Sequence, residues 1–308
     1  MSDLLLTISL LCCGREKETV RCLDSLKPIL EAVPSELILV DTGCSDEFRK
    51  KLREYTDQII RFQWCNDFSA ARNEGVKVAR GQWFMTIDDD EWIPDSTELI
   101  AFFNEGRYRE FTQANYLVKN FLDREFIRFT ESWAARLFKL GEGVNYKGRI
   151  HEYPNALKGE VCYLNMKVHH TGYIYENEAQ KMAHAKRNIT SLLEALEEFP
   201  DNVRYKLQLI QEYHDIRDYE KMEEACSSAL NYLKGLKKES YELGRIYLSA
   251  FHTGLILSEK CLGKTEEALS SFKNALADDR LIEVGKARIY SLGALLYKKQ
   301  NDFDRAIE

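Results

Sequence analysis

Gln82-Trp-Phe-Met-Thr-Ile-Asp88-Asp89-Asp90-Glu91 is an apolar run that stops at a block of carboxylates. The run has the length and character of a buried strand, and in an open α/β sheet ligands bind outside the carboxyl ends of the strands. Carboxylates grouped at such an end repel one another unless a cation compensates them. A hard divalent cation takes oxygen ligands, and Mg²⁺ is commonly held by one or two carboxylates plus the phosphate oxygens of a substrate. The block therefore reads as a metal–diphosphate site. The alternative is a solvated acidic turn in which Asp95 or Ser96 caps the next helix.

The same pattern recurs upstream. Leu4–Leu11 is continuously apolar, like a buried parallel strand. Glu16–Glu31 follows, with Val20, Leu23, Leu26 and Leu30 at helical spacing. Leu37–Val40 is a second strand, and Glu36-Leu-Ile-Leu-Val-Asp41-Thr-Gly43-Cys-Ser-Asp46 again stops at an Asp followed by turn residues. Asp46–Tyr55 reads as a short helix, Gln58–Phe62 as a third strand, Phe68–Ala79 as a helix stopped by Gly81, and Trp83–Ile87 as the fourth strand. This alternation predicts a parallel sheet with helices on both faces. The first turn, Cys12-Cys-Gly14-Arg15, has no GxGxxG, so it is not a dinucleotide fingerprint. It also lacks the Gly-rich, basic first loop of a sugar nucleotidyltransferase.

Downstream, Phe102 to Glu110 is charged and loop-prone and reads as a joint. Asn115–Phe121, Phe126–Thr130 and Ala134–Lys139 are short and rich in β-formers, which predicts a mixed sheet packed on the first half. Beyond about Asn177 the strand signals vanish, and Pro200-Asp201 breaks an otherwise helical region. Asp218-Tyr-Glu-Lys-Met222 with Ala229-Leu230 matches Lys264-Thr-Glu-Glu-Ala268 with Ala275-Leu276, and Asn301-Asp-Phe-Asp-Arg-Ala306 starts the pattern again after Leu292-Gly293 and Tyr297. These are marks of tetratricopeptide repeats. The starts at Asp218, Lys264 and Asp302 lie 46 and 38 residues apart, which requires extended helices. The chain stops at Glu308 inside the second helix of a repeat, so a shortened third repeat is expected.

A chain of 308 residues with 44% hydrophobic content suits two packed domains. A net charge of −7 argues against nonspecific binding to nucleic acid or to an anionic membrane. Asp3 stands where a secretory signal would be basic, and the apolar stretch Leu4–Cys13 is about half of what a membrane span needs. The eight cysteines contain no CxxC pair, which points to reduced thiols in a cytoplasmic protein.

Taken in order, Glu36–Asp46, Asn66-Asp67-Phe-Ser-Ala-Ala-Arg72-Asn73-Glu-Gly75, the acidic strand, Gly148-Arg-Ile-His151-Glu152 and His169-His170-Thr-Gly172 resemble the family 2 glycosyltransferases, inverting nucleotide-sugar enzymes of the GT-A fold. The resemblance covers about residues 4–175. A narrower similarity is to the tetratricopeptide-bearing subgroup that includes the S-glycosyltransferase modifying the bacteriocin sublancin. It rests on Asn66-Asp-Phe-Ser-x-Ala-Arg-Asn73, Arg136-x-Phe138, Gly148-x-x-His-Glu152 and His170-x-Gly-Tyr173. The resemblance implies an α/β GT-A (Rossmann-like nucleotide-diphospho-sugar transferase) catalytic domain over residues 1–176. An all-α tetratricopeptide-repeat region would follow over residues 177–308.

The resemblance also implies roles. Asp88-Asp89-Asp90 supplies the DxD element, with Asp90 ligating the metal and Asp88 and Asp89 on the nucleotide sugar; which two of the three act stays open. Asp41 resembles the uridine-contacting Asp, with Thr42 where many relatives carry a second acid. Arg72 resembles the Arg near base and ribose, although a helix-surface Arg is the alternative. His170 resembles the late His that completes coordination of Mg²⁺ or Mn²⁺, whereas His169 reads as a core histidine. Glu152 is the candidate general base, with Asp67 next, because an inverting transfer needs one base to take the acceptor proton. Trp133 and Arg136 are candidates for the acceptor side, Trp133 equally for core. The implied activity is transfer from a UDP-sugar, UDP-glucose or UDP-N-acetylhexosamine, to a Cys or Ser side chain of a peptide or protein held by the repeats. Two alternatives stand beside it: the same chemistry on a cell-envelope glycan or lipid-linked acceptor, and a catalytically degenerate repeat scaffold that binds partner peptides. The intact Asp cluster, Arg72 and Glu152 argue against degeneracy. Nucleic-acid partners and an integral membrane segment are not expected, and a homo-oligomer is left open.

Overall fold

The computed structural model describes residues 4–155, 158–236 and 242–307; Asp3 and Glu308 lie outside them. The chain divides into two compact units, Met1–Asn177 and Glu178–Glu308.

In the first unit the chain runs β1 (Leu6–Cys12), α1 (Glu16–Ala32), β2 (Ser35–Asp41), α2 (Asp46–Leu52), β3 (Ile59–Arg61), α3 (Phe68–Val78), β4 (Trp83–Asp88), β5 (Glu91–Trp92) and α4 (Thr97–Asn104). A 3-10 turn over Arg107–Glu110 leads to β6 (Gln113–Phe121), β7 (Phe129–Lys139), β8 (Tyr146–Lys147), β9 (Tyr153–Pro154) and β10 (Val161–His170). Eight strands form one sheet in the order β3-β2-β1-β4-β7-β6-β10-β5, and β8 pairs with β9 apart from it. The strands β3, β2, β1 and β4 are parallel, as their continuous apolar sequences require. β7 is antiparallel to both β4 and β6, and β10 is parallel to β6. The main core joins Leu6, Ile8, Leu10, Met85 and Ile87 to Leu23, Leu26 and Ile29 of α1 and Leu99, Phe102 and Phe103 of α4. A smaller cluster of Phe84, Phe138 and Tyr146 packs with Val76 of α3.

Three sequence expectations change. Phe102 and Phe103 are not a joint but core residues of α4, edge-on to Trp83 at 5.4 and 6.2 Å. The two strands expected within Phe126–Lys139 are one strand, β7, and Phe126 sits at positive φ in the turn before it. β10 and the two-residue β5 were not expected. β10 alternates buried Cys162, Leu164, Met166 and Val168 with exposed residues, but it is dense in polar side chains.

Among the described residues the regular elements of the second unit are all helices: α5 (Glu178–Glu198), α6 (Val203–Asp215), α7 (Tyr219–Gly235), α8 (Glu242–Cys261), α9 (Thr265–Ala277), α10 (Glu283–Lys299) and α11 (Phe303–Ile307). Each helix packs on the next, and α8 also contacts α6 and α10, the nearest-neighbour pattern of a repeat array. The small residues anticipated from the repeats lie at these contacts: Ala229, Ala268 and Ala275 are fully buried. A Cβ on Gly293 would collide with the Phe272 ring. Asp218 caps α7 by accepting from the Lys221 N–H at 3.2 Å.

Candidate active site

β1, β2 and β4 end level: Cys12 stands opposite Asp41, and Leu11 opposite Asp88. The loops that leave these three strands therefore share one edge, and with neighbouring strands ~4.8 Å apart the ends of β2 and β4 are separated by roughly 10 Å. Two features sit along that edge.

The first is a cavity of about 360 Å³ lined by Asp41, Thr42, Gly43, Arg49, Arg61, Phe62, Gln63 and Trp64. Asp41 is buried in its wall. Its Oδ1 accepts the N–H groups of Gly43 and Cys44 at 3.0 and 2.7 Å, and its Oδ2 accepts Arg49 Nε at 2.5 Å. Burial pushes the Asp41 pKa up, but these donors outweigh it and hold the carboxyl below its ordinary value.

The second feature is a lattice of carboxylates and guanidiniums at the end of β4. Arg72 projects from α3 and is 4% exposed, which excludes the helix-surface reading. Its Nη2 donates to Asp88 Oδ1 at 2.7 Å, Nη1 donates to Thr86 Oγ1, and Nε to Glu152. The motif around Arg72 explains its placement. Asp67 caps α3 through the Ala70 N–H at 2.9 Å, and Asn73 exchanges two hydrogen bonds with the Tyr146 backbone. Asp67 is thus engaged as a cap, which weakens it as the second base candidate. Arg136 lies in a bulge of β7: register breaks between the pairs Ala114–Leu137 and Tyr116–Ala134. Such bulges re-aim side chains. Here Arg136 Nη1 reaches Asp88 Oδ2 at 2.8 Å and Glu91 Oε2 at 2.7 Å. Arg136 therefore joins the acid cluster. Both Asp88 oxygens accept from arginines, which hold its pKa far down against burial.

Asp89 and Asp90 are buried on the other side of the strand end. Arg15, from the β1–α1 loop, donates Nη2 to Asp89 Oδ1 at 2.6 Å and Nη1 to Asp90 Oδ2 at 2.5 Å. His170 Nε2 lies 3.5 Å from Asp90 Oδ1. Burial pushes Asp89 up to about 6, only partly offset by Arg15, and pushes Glu91 up to about 7 against Arg136. Asp90 behaves oppositely: burial raises it, but His170 and Arg15 bring it below its ordinary value.

Five carboxylates, Asp88, Asp89, Asp90, Glu91 and Glu152, meet three guanidiniums, Arg15, Arg72 and Arg136. Among the described residues no three His, Cys, Asp or Glu side chains form a ready-made metal cage. Asp90 and His170 nevertheless fit a hard cation that draws its remaining ligands from a diphosphate. Gly172 keeps the space between them open: a Cβ there would collide with His170 Nε2 and lie 2.8 Å from Asp90 Oδ2.

Glu152 follows Gly148 and His151, both at positive φ, in a loop tied to α3 by the Phe68 N–H on Arg149 O at 2.8 Å. The loop turns Glu152 inward onto Arg72. Trp133 is not core: it is half exposed and edge-on to Tyr163 at 4.9 Å. His169 packs edge-on to Trp92 and Phe121, each at 5.1 Å, as a core histidine would. Sequence reasoning gave no role to Arg15 or Asn120 and counted Glu91 only as part of the acidic block. The first stood in the opening turn, which was read only for the glycine fingerprints it lacks. The other two belong to strand ends whose pairing the sequence did not reveal.

Residues 7–153 match the family model described as "Glycosyl transferase family 2". The chain is 27% identical over 236 residues to the SPbeta prophage-derived glycosyltransferase SunS of Bacillus subtilis strain 168, covering 74% of this chain and 54% of that protein. It thus spans about half the length of this curated relative. It is 34% identical over 117 residues to a TPR repeat-containing protein of Synechococcus elongatus, covering 34% of this chain and 27% of the relative. Among solved structures it is similar to S. aureus TarS 1–349, with a TM-score of 0.42, 12% identity and coverage of 98% of this chain and 89% of that one.

Proposed function

We propose that this chain, whose residues 7–153 match the glycosyl transferase family 2 model, is an inverting glycosyltransferase that moves a sugar from a UDP-sugar to a Cys or Ser side chain of a peptide or protein. The observation that carries the reading is the sharing of one sheet edge by an open pocket at Asp41 and Trp64 and the lattice of acids and arginines at the end of β4. A nucleoside would enter the cavity at Asp41 and Trp64, and its diphosphate would then extend toward Asp88–Asp90. Asp90 and His170 would hold Mg²⁺ or Mn²⁺, which supplies charge neutralisation for the leaving diphosphate. Arg72 and Arg136 fix the Asp88 carboxylate, which with Asp89 would face the nucleotide sugar. Glu152 would take the acceptor proton as the acceptor attacks the anomeric carbon from the side opposite UDP. The helical unit supports a polypeptide acceptor, because repeat arrays build extended binding surfaces. No helix among the described residues is long and apolar enough to cross a membrane, and a cytoplasmic location is part of the proposal.

The test is UDP release from UDP-glucose and UDP-N-acetylglucosamine with Cys- and Ser-containing peptides, and mass spectrometry for the added hexose or N-acetylhexosamine. We expect transfer that Asp90→Asn abolishes while the fold survives. Wild-type protein that neither binds UDP nor releases it from any donor would end the reading.

A further inference from the structure

Arg15 differs from the other two arginines of the lattice. Arg72 is fully enclosed and Arg136 is wedged into a bulge, with side chains 5% and 28% exposed. The Arg15 side chain is 47% exposed, whereas its partners Asp89 and Asp90 are 3% and 8% exposed. The acids are enclosed and the guanidinium is the solvent-accessible member. It follows Gly14, which adopts φ +91, and a Cβ on Gly14 would meet only the Gly43 carbonyl at 3.9 Å. The backbone here is uncrowded, and its neighbour Gly43 lines the nucleoside cavity. Arg15 therefore lies between the cavity and the acids, where a diphosphate joining the two would pass.

A divalent cation on Asp90 and the Arg15 guanidinium on the same carboxylate would repel one another. A diphosphate placed beside them offers Arg15 oxygens that suit its planar, paired donors. We propose that Arg15 is an exchangeable cation: it clamps Asp89 and Asp90 before the donor arrives and transfers to the donor's diphosphate as the divalent cation takes Asp90. This rests on the nucleoside-diphosphate reading of the site. It makes Arg15 both a competitor of the metal and a ligand of the nucleotide, two effects of opposite sign that a merely structural side chain would not produce.

The experiment compares wild type, Arg15→Gln and Arg15→Lys, with circular dichroism to check folding. Mn²⁺ binding is read by electron paramagnetic resonance without nucleotide, and UDP binding by calorimetry at saturating Mn²⁺. Removing one charge-assisted pair should change each affinity by about ten- to a hundredfold. Arg15→Gln should bind Mn²⁺ more tightly and UDP more weakly. Arg15→Lys should fall between, because a single ammonium cannot span both carboxylates. Unchanged Mn²⁺ affinity in Arg15→Gln, or unchanged UDP affinity, overturns the proposal while wild type binds UDP normally. Wild type that binds Mn²⁺ but no UDP overturns instead the reading on which it rests.

Discussion

His170 Nδ1 lies 2.7 Å from Asn120 Oδ1, and this contact aims the other ring nitrogen, Nε2, at Asp90 Oδ1. The Asn120 amide nitrogen is directed to Val118 O at 3.5 Å and Ser132 Oγ at 3.4 Å, which leaves Oδ1 to accept the His170 Nδ1–H. In the neutral ring Nε2 then faces a carboxylate oxygen with a lone pair, and a proton or a metal ion must lie between them. Burial lowers the His170 pKa, but Asp90, Glu91 and Asp88 outweigh it and raise it above the ordinary value.

The first prediction follows from that orientation. Partners that fix a ligating imidazole contribute about ten- to a hundredfold to metal affinity. Asn120→Leu should weaken Mn²⁺ binding by about that factor and leave the fold intact. A Mn²⁺ titration equal to wild type would remove His170 from the ligand set.

A second prediction concerns stability. Arg72 is the buried partner of both Asp88 and Glu152. Removing one partner of a buried ionic network leaves uncompensated charge and costs about 3–5 kcal/mol. Arg72→Leu should lower unfolding stability in urea by that order. Arg136→Leu should cost less, since Arg136 is more exposed. A loss under about 1 kcal/mol for Arg72→Leu, the size of an exposed pair, would show that the lattice is not an energetic unit.

These residues also mark what the sequence could reveal. The strands β1, β2 and β4 were legible because each is a short apolar run closed by Asp or turn residues, and period and composition are local signals. Asp41, Arg72, Asp90, Glu152 and His170 were singled out through motif order, and the fold brings Arg72, Asp88 and Glu152 into contact. Arg15 was not legible as a partner of Asp89 and Asp90, because contacts across 74 and 75 residues have no period. Arg136 needed a bulge to reach Asp88, and a bulge is a register property of two strands. α4 was misread because Glu98, Asn104 and Glu105 masked the apolar stripe of Leu99, Phe102 and Phe103.

The third prediction is pH dependence in the helical unit. His252 of α8 is buried, with Nε2 3.3 Å from Asp278 Oδ2. Burial lowers its pKa, only partly offset by Asp278. Between that lowered value and about 6.5 the unfolded chain binds more protons, so His252 makes stability fall as pH drops below about 6.5. Asp278, raised by burial but brought down to about 2 by Arg280 and His252, stabilises above pH ~4 and loses this as pH falls toward 2. Asp89 and Glu91 act in reverse, because their raised values favour the protonated folded form. The quantity to measure is therefore the difference in urea stability between wild type and His252→Gln. It should shift in favour of the variant from pH 7.5 to 5.5. A difference independent of pH would sink the assignment.

The last prediction separates acceptor chemistries through Glu152. A hydroxyl is a poor nucleophile unless a base removes its proton during attack. A cysteine thiol, with a pKa of about 8.5, is already partly thiolate near neutrality. Glu152→Gln keeps an oxygen that can accept from Arg72 Nε, so the geometry of the pair can survive while the basic carboxylate is lost. With a Ser acceptor the rate should fall by roughly 10²–10⁴-fold, the range of general-base catalysis. With a Cys acceptor the loss should be smaller, and it should shrink as pH rises toward the thiol pKa. UDP affinity should change little in either case if Glu152 serves the acceptor. Wild-type rates in Glu152→Gln with a hydroxyl acceptor would end the assignment as base. A large loss of UDP affinity would place Glu152 with Arg72 and Asp88 on the nucleotide side. The base would then have to be sought among other carboxylates, with Glu91 the first to test because its Oε1 is buried without a hydrogen-bond partner.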